Sequence, residues 1–467
     1  MELTSNALSP SAKPVILACS PSRIVTLPPG GAFGRDFLCV ARVGHGDFTV
    51  EADKAKLGPM LRDLIIARKR LALAGGDMIM YRVLHAAAAW LLDGCSDAAA
   101  ELEPYEQWMA AMRFETVKDN VRSSGQTPLH FAVMSGRADL VEALLDQGAP
   151  INFKLKKDEP RFYMNAGDTP LAFAATFASN SSIIELLLQR GADPRESLDR
   201  FGNTALHAAC SFSNMDGVRA LMRHDETLAV IRNKAGGLPL ANGAVLSRPR
   251  VLSLLRDEYP QQFEFCVREH DTARNNGLGL CANAIANGTA TVESLTIILD
   301  AGEPVDRYSP KVTGILAPII HVVDIIAWLT PMTTLRKKNE LVFGFAYGGR
   351  SSPLHTAAGR GMLAVVDLLL ERGASINSTA SPKGMTPLHL VAIAGHDDVC
   401  ARLLEKGADP IIKDKRGRTA LAYATMFKRD AVRRRLAAVT TMPPSMPLPA
   451  RAAPASQSMR GISTVTV

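Results

Sequence analysis

The sequence predicts an all-α repeat protein, in which helix-turn-helix units with short projecting turns stack into a solenoid. A small non-repeat segment precedes the array, and a disordered tail follows it. Three observations lead to this prediction: a four-residue helix start recurs along the chain, the copies lie about 33 residues apart, and the second helices share one apolar register. Each helix pair exposes an apolar flank that only a neighbouring copy can cover, so the units must stack.

The unit is clearest at residues 386–410, which read TPLHLVAIAGHDDVCARLLEKGADP. Thr386 is a good N-cap, and Pro387 suits the first helical position because no backbone donor is needed there. Gly395 ends this first helix in a left-handed conformation that is costly for other residues. A second helix follows, and Gly407 supplies its C-terminal cap. The stretch therefore predicts two short helices and an outward turn.

The same pattern recurs with a fixed spacing. Helix starts are found at Thr127, Thr169, Thr204, Ser352, Thr386 and Thr419. From Ser352 the successive offsets are 34 and 33 residues, and Thr169 to Thr204 is 35. Apolar residues lie three, four, seven and eight positions before each of four capping glycines, which are Gly148, Gly191, Gly373 and Gly407.

These motifs resemble the ankyrin-repeat family, whose helix-turn-helix unit carries T-P-L-H at the first helix and G-A-D/S after the second. The resemblance covers roughly Thr127 to Ala438. It implies a protein-binding array in which the turns and inner helices form the usual binding face.

We expect three regions. Residues 1–80 form the non-repeat segment, with strand-like runs at 14–19 and 23–27 and an amphipathic helix at 54–74 whose apolar face includes Leu71. Residues 81–438 form the array, with a divergent capping unit at 81–94 and degenerate repeats at 238–345. Residues 439–467 form the disordered Pro/Ala/Ser tail.

The run at 314–329 (GILAPIIHVVDIIAWL) invites a membrane interpretation. It has 16 residues, and Asp324 near its middle would cost about 2.5–3.5 kcal/mol in a bilayer. A buried array helix, paired with a helix at 333–343, is therefore the better interpretation, and we expect no membrane span.

Charge is concentrated near the end of the array. Lys and Arg exceed Asp and Glu by 53 to 46, a net charge of +7. Nine basic residues lie between Lys413 and Arg435, against Asp414 and Asp430. No base-stacking aromatic residues accompany them, which argues against nucleic-acid binding. We expect instead a local basic surface, a protein partner with an acidic surface, and a monomer.

Seven cysteines form no CxxC pair, and Cys281 and Cys400 occupy apolar repeat positions. Cysteine used as a small hydrophobe is typical of a reduced compartment. The first residues lack a secretory signal. We expect a cytoplasmic protein, with the nucleus as a second location.

Catalytic and metal-binding motifs are absent from the sequence: it has no HExxH, GxxxxGK[ST] or GxSxG, and no clustered His/Cys ligand spacing. We therefore expect no enzyme activity, no cofactor and no metal. His130, His207, His355 and His389 share one motif position, which predicts hydrogen bonds to the backbone within and between repeats.

Partner contacts are expected on the projecting turns, because these residues are free of core duty. The insertion 153–168 interleaves basic and aromatic residues; it either contacts a partner or folds back on the array. The candidate residues are Lys154, Lys156, Arg161, Phe162, Tyr163, Arg200, Phe201, Lys383, Met385, Lys415, Arg416 and Arg418.

Two functions remain open. The favoured one is a non-catalytic scaffold or adaptor that binds a partner through its turns and concave face. The alternative is an enzyme or regulated effector, with an activity in residues 1–80 that the array targets.

Overall fold

The structure is a computed structural model of the chain. It describes residues 15–20, 23–27, 52–91, 103–306 and 351–440, apart from gaps at 122–124, 160–163, 178–180, 197–198, 200, 235, 247, 270–278, 287 and 382. The chain divides into two compact units, Met1–Pro304 and Val305–Val467. The predicted helices at 314–343 and residues 441–467 of the predicted tail lie outside the described residues, whereas 439 and 440, its first two residues, are helical.

The first unit begins with a β-hairpin. Strand β1 (Val15–Ser20) pairs antiparallel with β2 (Arg23–Leu27), and Val15 lies opposite Leu27. The two strand-like runs of the sequence are thereby confirmed as strands.

Helix α1 (Ala52–Ala74) packs against α2 (Met78–Leu91). Gly76 between them has φ +72°, so the pair of glycines ends α1 as the sequence predicts. Ile65 of α1 is buried, but Leu71 is 47% exposed. The prediction that Leu71 lies on the apolar face is therefore wrong: six residues carry it about 240° around the helix from Ile65.

Repeats of helix pairs form the rest of the first unit. After α3 (Tyr105–Ala111), the pairs are α4 (Pro128–Ser135) with α5 (Ala138–Asp146), α6 (Pro170–Phe177) with α7 (Ser182–Gln189), α8 (Ala205–Phe212) with α9 (Met215–His224), α10 (Pro239–Val245) with α11 (Pro249–Glu258), and α13 (Leu280–Ala286) with α14 (Val292–Asp300). First helices pack against first helices and second against second, which gives two layers. Helix α2 packs against α4 at the start of the first-helix layer.

Two further helical elements lie where the sequence lacks its capping glycines. Asp225 ends α9, and its carboxylate accepts the amide of Thr227 (2.9 Å) at the start of a 3-10 helix (Glu226–Val230). Helix α12 (Pro260–Glu269) follows α11 after one residue and packs against the 3-10 helix. The sequence analysis did not predict either element.

The described part of the second unit, residues 305–306 and 351–440, contains three regular pairs. They are α15 (Pro353–Arg360) with α16 (Leu363–Glu371), α17 (Pro387–Ala394) with α18 (Asp397–Glu405), and α19 (Ala420–Met426) with α20 (Asp430–Thr440). Leu388 and Leu403 are 1% and 0% exposed, as their register predicts. Small buried residues such as Ala357 and Ala358 let neighbouring first helices approach closely.

Within the described ranges, no helix combines the length and apolar character that crossing a membrane requires. The run 314–329 lies outside those ranges.

Candidate protein-binding surface

The connections that lead into the first helices expose five of the eight candidate residues that the structure describes. We call the connections at 154–168, 199–203, 232–237, 379–385 and 413–418 the projecting turns. In the first unit the amide of Lys234 donates to the Phe201 carbonyl (2.9 Å). In the second unit the amide of Lys415 donates to the Lys383 carbonyl (3.1 Å). Within each unit, this main-chain bond aligns two neighbouring turns side by side.

A buried carboxylate organises the turn at 413–418. One oxygen of Asp414 accepts the amides of Arg416 and Arg418, each at 2.9 Å. The other oxygen accepts the Tyr423 hydroxyl at 2.6 Å. Burial would raise the pKa of Asp414, but these donors outweigh it and the pKa is lowered. The turn is therefore closed around a fixed negative charge.

The basic side chains of this turn point away from that carboxylate. Lys413, Lys415 and Arg416 are exposed. Arg418 is half-buried, and its guanidinium lies 5.5 Å from the centre of the Tyr423 ring. Three cations thus project from a turn whose backbone is held in place, while Arg418 also supports the turn.

In the first unit, Asp199 plays a similar part. Its carboxylate accepts the amides of Phe201 and Asn203, each at 2.8 Å. Phe201 is 47% exposed at the tip of this turn. Arg200, the candidate beside it, lies outside the described residues.

The insertion at 153–168 folds back at both ends, and its lysines stay exposed. Leu155 and Met164 are 3% and 0% exposed, and the Lys156 ammonium donates to the Asn120 side chain at 3.1 Å. Lys154 and Lys156 are exposed. The insertion therefore folds back on the array at Leu155 and Met164, while partner contact by its exposed lysines stays a prediction. Arg161, Phe162 and Tyr163 lie outside the described residues.

The turn at 379–385 supplies one surface residue and one buried residue. Lys383 is half-buried. Met385 is 1% exposed, and its amide donates to the Ser381 hydroxyl at 2.7 Å. The expectation that Met385 belongs to the exposed surface is therefore corrected: it precedes the N-cap Thr386, and the apolar side chain packs inside the array.

The motif histidines make the predicted backbone hydrogen bonds. The amides of Thr204 and Thr386 donate to Nδ1 of His207 and His389, at 3.1 and 3.0 Å. Because an amide can only donate, Nδ1 accepts and Nε2 carries the proton. Burial lowers the pKa of both rings, that of His207 to about 4. Both histidines are therefore neutral structural groups.

Nε2 of three of the four motif histidines links its repeat to the next, whereas Nε2 of His130 is buried and makes no hydrogen bond to the described residues. His207, His355 and His389 direct Nε2 at the carbonyls of Gly237 (3.2 Å), Met385 (2.8 Å) and Arg418 (3.0 Å). Each acceptor is the last residue of the following projecting turn. The motif therefore fixes the position of the turn that bears the candidate contacts.

A second set of hydrogen bonds between repeats is not predicted by the sequence motif. Asn214, Arg248 and Arg429 each lie ten residues after a motif start, and each donates to a carbonyl near the end of the preceding first helix. Arg248 reaches the Ser211 carbonyl at 3.0 Å, for example. These donors satisfy backbone acceptors that the helix leaves open. Their common position ten residues after a motif start could have revealed these hydrogen bonds in the sequence, but their residue types differ, so no repeated letter marks them.

Buried cysteines in the described ranges have no reactive character. Cys210, Cys266, Cys281 and Cys400 are free and buried, and burial raises the pKa of each thiol. In the same ranges no three His, Cys, Asp or Glu side chains converge as metal ligands would.

Comparison with known proteins gives the same architecture. A model of ankyrin repeats in three copies matches residues 82–197, 150–232, 171–261 and 354–439, together more than half of the chain. Human B-cell lymphoma 3 protein is 29% identical over 264 residues, 56% of this chain and 47% of the human protein.

Two more relatives are matched over shorter shares of their length. The ankyrin repeat and KH domain-containing protein mask-1 of Caenorhabditis elegans is 27% identical over 288 residues, 60% of this chain and 10% of that protein. The transient receptor potential cation channel subfamily V member 1 of Cavia porcellus is 30% identical over 162 residues, 29% of this chain and 19% of the channel. The chain spans less than half the length of each of these relatives. The family model covers enough of the sequence to decide membership: the chain belongs to the ankyrin-repeat family, whose repeats serve protein–protein interaction.

Proposed function

We propose that the chain is a non-catalytic scaffold or adaptor that binds a protein partner with an acidic surface through its projecting turns and first helices. The observation that carries this proposal is the turn at 413–418, where exposed cations stand on a backbone fixed by the buried Asp414 carboxylate. A basic side chain that only kept the protein soluble would not need a backbone held in one conformation.

Position and charge support the same conclusion. Lys415 and Arg416 are adjacent, and Lys413 lies two residues away, so they fall within about one Debye length (~8 Å at physiological salt) of each other. Their fields add, which raises the association rate with an acidic surface more than it slows dissociation. Salt should weaken this attraction.

The remaining contacts in this proposal are Lys154, Lys156, Phe201, Lys383 and Arg418, together with Arg161, Phe162, Tyr163 and Arg200 from outside the described residues. An exposed aromatic side chain such as Phe201 beside basic residues is typical of the anchors found in protein interfaces. We place the protein in the cytoplasm, with the nucleus as the second location, because the described cysteines are free.

The alternative is an activity in residues 1–80. The described part of that segment consists of the hairpin, α1 and the first residues of α2.

Affinity capture with the intact chain and with a chain lacking residues 1–80 separates the two functions. The scaffold predicts that both chains retain the same partners and that cross-links to those partners fall on the projecting turns. Partners that are lost only from the truncated chain would indicate that residues 1–80 carry the function.

A further inference from the structure

Three polar side chains from different segments meet beside the first helix pair. The Lys69 ammonium of α1 lies 2.7 Å from Nδ1 of His85 on α2. Nε2 of His85 lies 3.1 Å from a carboxylate oxygen of Glu103, in the segment before α3. An amine, an imidazole and a carboxylate in this order form the arrangement of an activated nucleophile: the amine is the nucleophile, the imidazole is its base, and the carboxylate orients the imidazole.

Hydrogen-bond donors and acceptors match this order. An ammonium can only donate, so Nδ1 of His85 accepts. Nε2 then carries the proton and donates to Glu103, which can only accept when ionised. Lys69 is half-buried, and its amine lies 5.3 Å from the centre of the Tyr81 ring, which helps to hold it in place. The histidine is placed to take a proton from the amine.

Electrostatics favours the reactive form of the amine. Burial lowers the pKa of Lys69, and the opposing effect of Glu103 is smaller. Burial and the charge of Lys69 also lower the pKa of His85, whereas Glu103 raises it. More free amine is therefore present near neutral pH than on an exposed lysine, which is the usual way that a nucleophilic lysine is prepared.

We propose that Lys69 is a site of covalent acylation by acyl thioesters, with His85 as the general base and Glu103 as the residue that positions it. This proposal does not depend on the proposed function. Lys413 and Lys157 are exposed and serve as internal references.

The acyl group passes from the sulfur of the thioester to the nitrogen of Lys69. Lys69 gives one proton to Nδ1 of His85, and Glu103 stabilises the resulting imidazolium. The free amine attacks the thioester carbonyl carbon; the C–N bond forms, the C–S bond breaks, and the electron pair leaves with the sulfur. Of the two protons lost by nitrogen, one forms the thiol with the leaving thiolate and the other passes from His85 to water. The product is a neutral amide, so the charged donor to His85 is lost.

The test uses the full-length protein and S-acetyl-N-acetylcysteamine, a small acyl thioester. Peptide mass spectrometry measures the initial acetylation rates of Lys69, Lys413 and Lys157 in the same sample over a range of pH. We expect Lys69 to react about tenfold faster or more, since a positioned general base contributes at least this much. Its rate should also reach half of its maximum at a lower pH than that of Lys413.

Two variants separate the base from its surroundings. His85→Asn keeps an acceptor near Nδ1 but cannot take a proton, and it should bring Lys69 to the rate of Lys413. Glu103→Gln, at a side chain 45% exposed, should slow Lys69 several-fold without disturbing the fold. Circular dichroism checks the fold of both. A Lys69 rate no higher than that of Lys413 in the parent protein overturns the proposal without any variant. An unchanged Lys69 rate in a folded His85→Asn or Glu103→Gln protein overturns it as well.

Discussion

Acidification should destabilise the second unit through His355. This ring is fully buried, the Ser352 hydroxyl lies 2.7 Å from Nδ1, and Nε2 donates to the Met385 carbonyl. A second proton would have to be placed on Nδ1, inside the N-cap of α15. Burial accordingly lowers the pKa of His355 to about 4. Backbone hydrogen bonds of Met385 and Ser378 and the charge of Asp306 raise this pKa by less, and His389 lowers it slightly.

The sign and the size follow from this shift. The unfolded chain takes up a proton as the pH falls below about 6.5, whereas the folded chain does so only near 4. The contribution of His355 to stability is therefore fully present above about pH 6.5 and is lost as the pH falls towards 4. A shift from 6.5 to about 4 corresponds to about 3 kcal/mol in the free energy of unfolding.

The assay compares the parent protein with His355→Asn, because other groups also titrate in this range. Burial raises the pKa of Asp168 in the first unit to about 7, which acts in the opposite direction. Hydrogen exchange of peptides from 352–360, measured at several pH values between about 7 and 4, reports the local free energy of opening. The variant should be less stable at neutral pH.

The difference between the two proteins is the decisive quantity. It should shrink by about 3 kcal/mol as the pH falls through the window, because the variant has nothing to protonate at this position. If the difference is the same near pH 7 and near pH 4, the buried neutral histidine is not a source of the stability.

Three further predictions concern the array. Leu388→Ala should reduce the free energy of unfolding by about 2–5 kcal/mol in urea denaturation, and a loss below half a kcal/mol would contradict its burial between helices. Gly395→Ala should lower the free energy of unfolding more than Gly407→Ala. Both glycines have φ +93°, so an alanine at either site is strained by about 1–2 kcal/mol, but a Cβ at Gly395 would also lie 2.6 Å from Arg429, whereas the space at Gly407 is open. Equal midpoints of denaturation for the two variants would count against this contact. Described residues within 238–306 should exchange their amide hydrogens faster than 352–410, because their repeats lack Thr-Pro starts and α11 also lacks the glycine cap, each worth about 1 kcal/mol. Equal protection would argue that these starts and this cap are dispensable.

The sequence predicts the repeat and its histidine bonds because these features are local. Thr386 and His389 are three residues apart on one helical turn, so their contact follows from helix geometry alone. The link from His389 to the Arg418 carbonyl spans about one repeat, and the regular spacing makes it predictable.

Features that depend on a neighbouring repeat are harder to foresee. The burial of Met385 depends on how the next repeat covers the residue before the N-cap. Helix α12 lies where the periodic pattern fails, although Pro260 at its start is a recognisable signal.

The Lys69, His85 and Glu103 cluster has no sequence motif. Its contacts join residues 16 and 18 positions apart, on two helices and a connecting segment. The packing of α1 against α2 brings Lys69 to His85, and Glu103 reaches His85 from the segment before α3.

We expect a protein partner to bind the turn at 413–418. The direct test is the association rate of a captured partner with the parent, with Lys415, Arg416 and Arg418 all replaced by Ser, and with a control that replaces Lys406, Arg433 and Arg434 of the second-helix layer by Ser. Both variants lose three positive charges, and unchanged circular dichroism should show that both still fold.

We predict that the turn variant associates several-fold more slowly at low salt and loses most of its salt dependence, while the control behaves like the parent. If the turn variant keeps the association rate and the salt dependence of the parent, or if the control slows equally, the basic turn is a solvated surface and the claim is wrong.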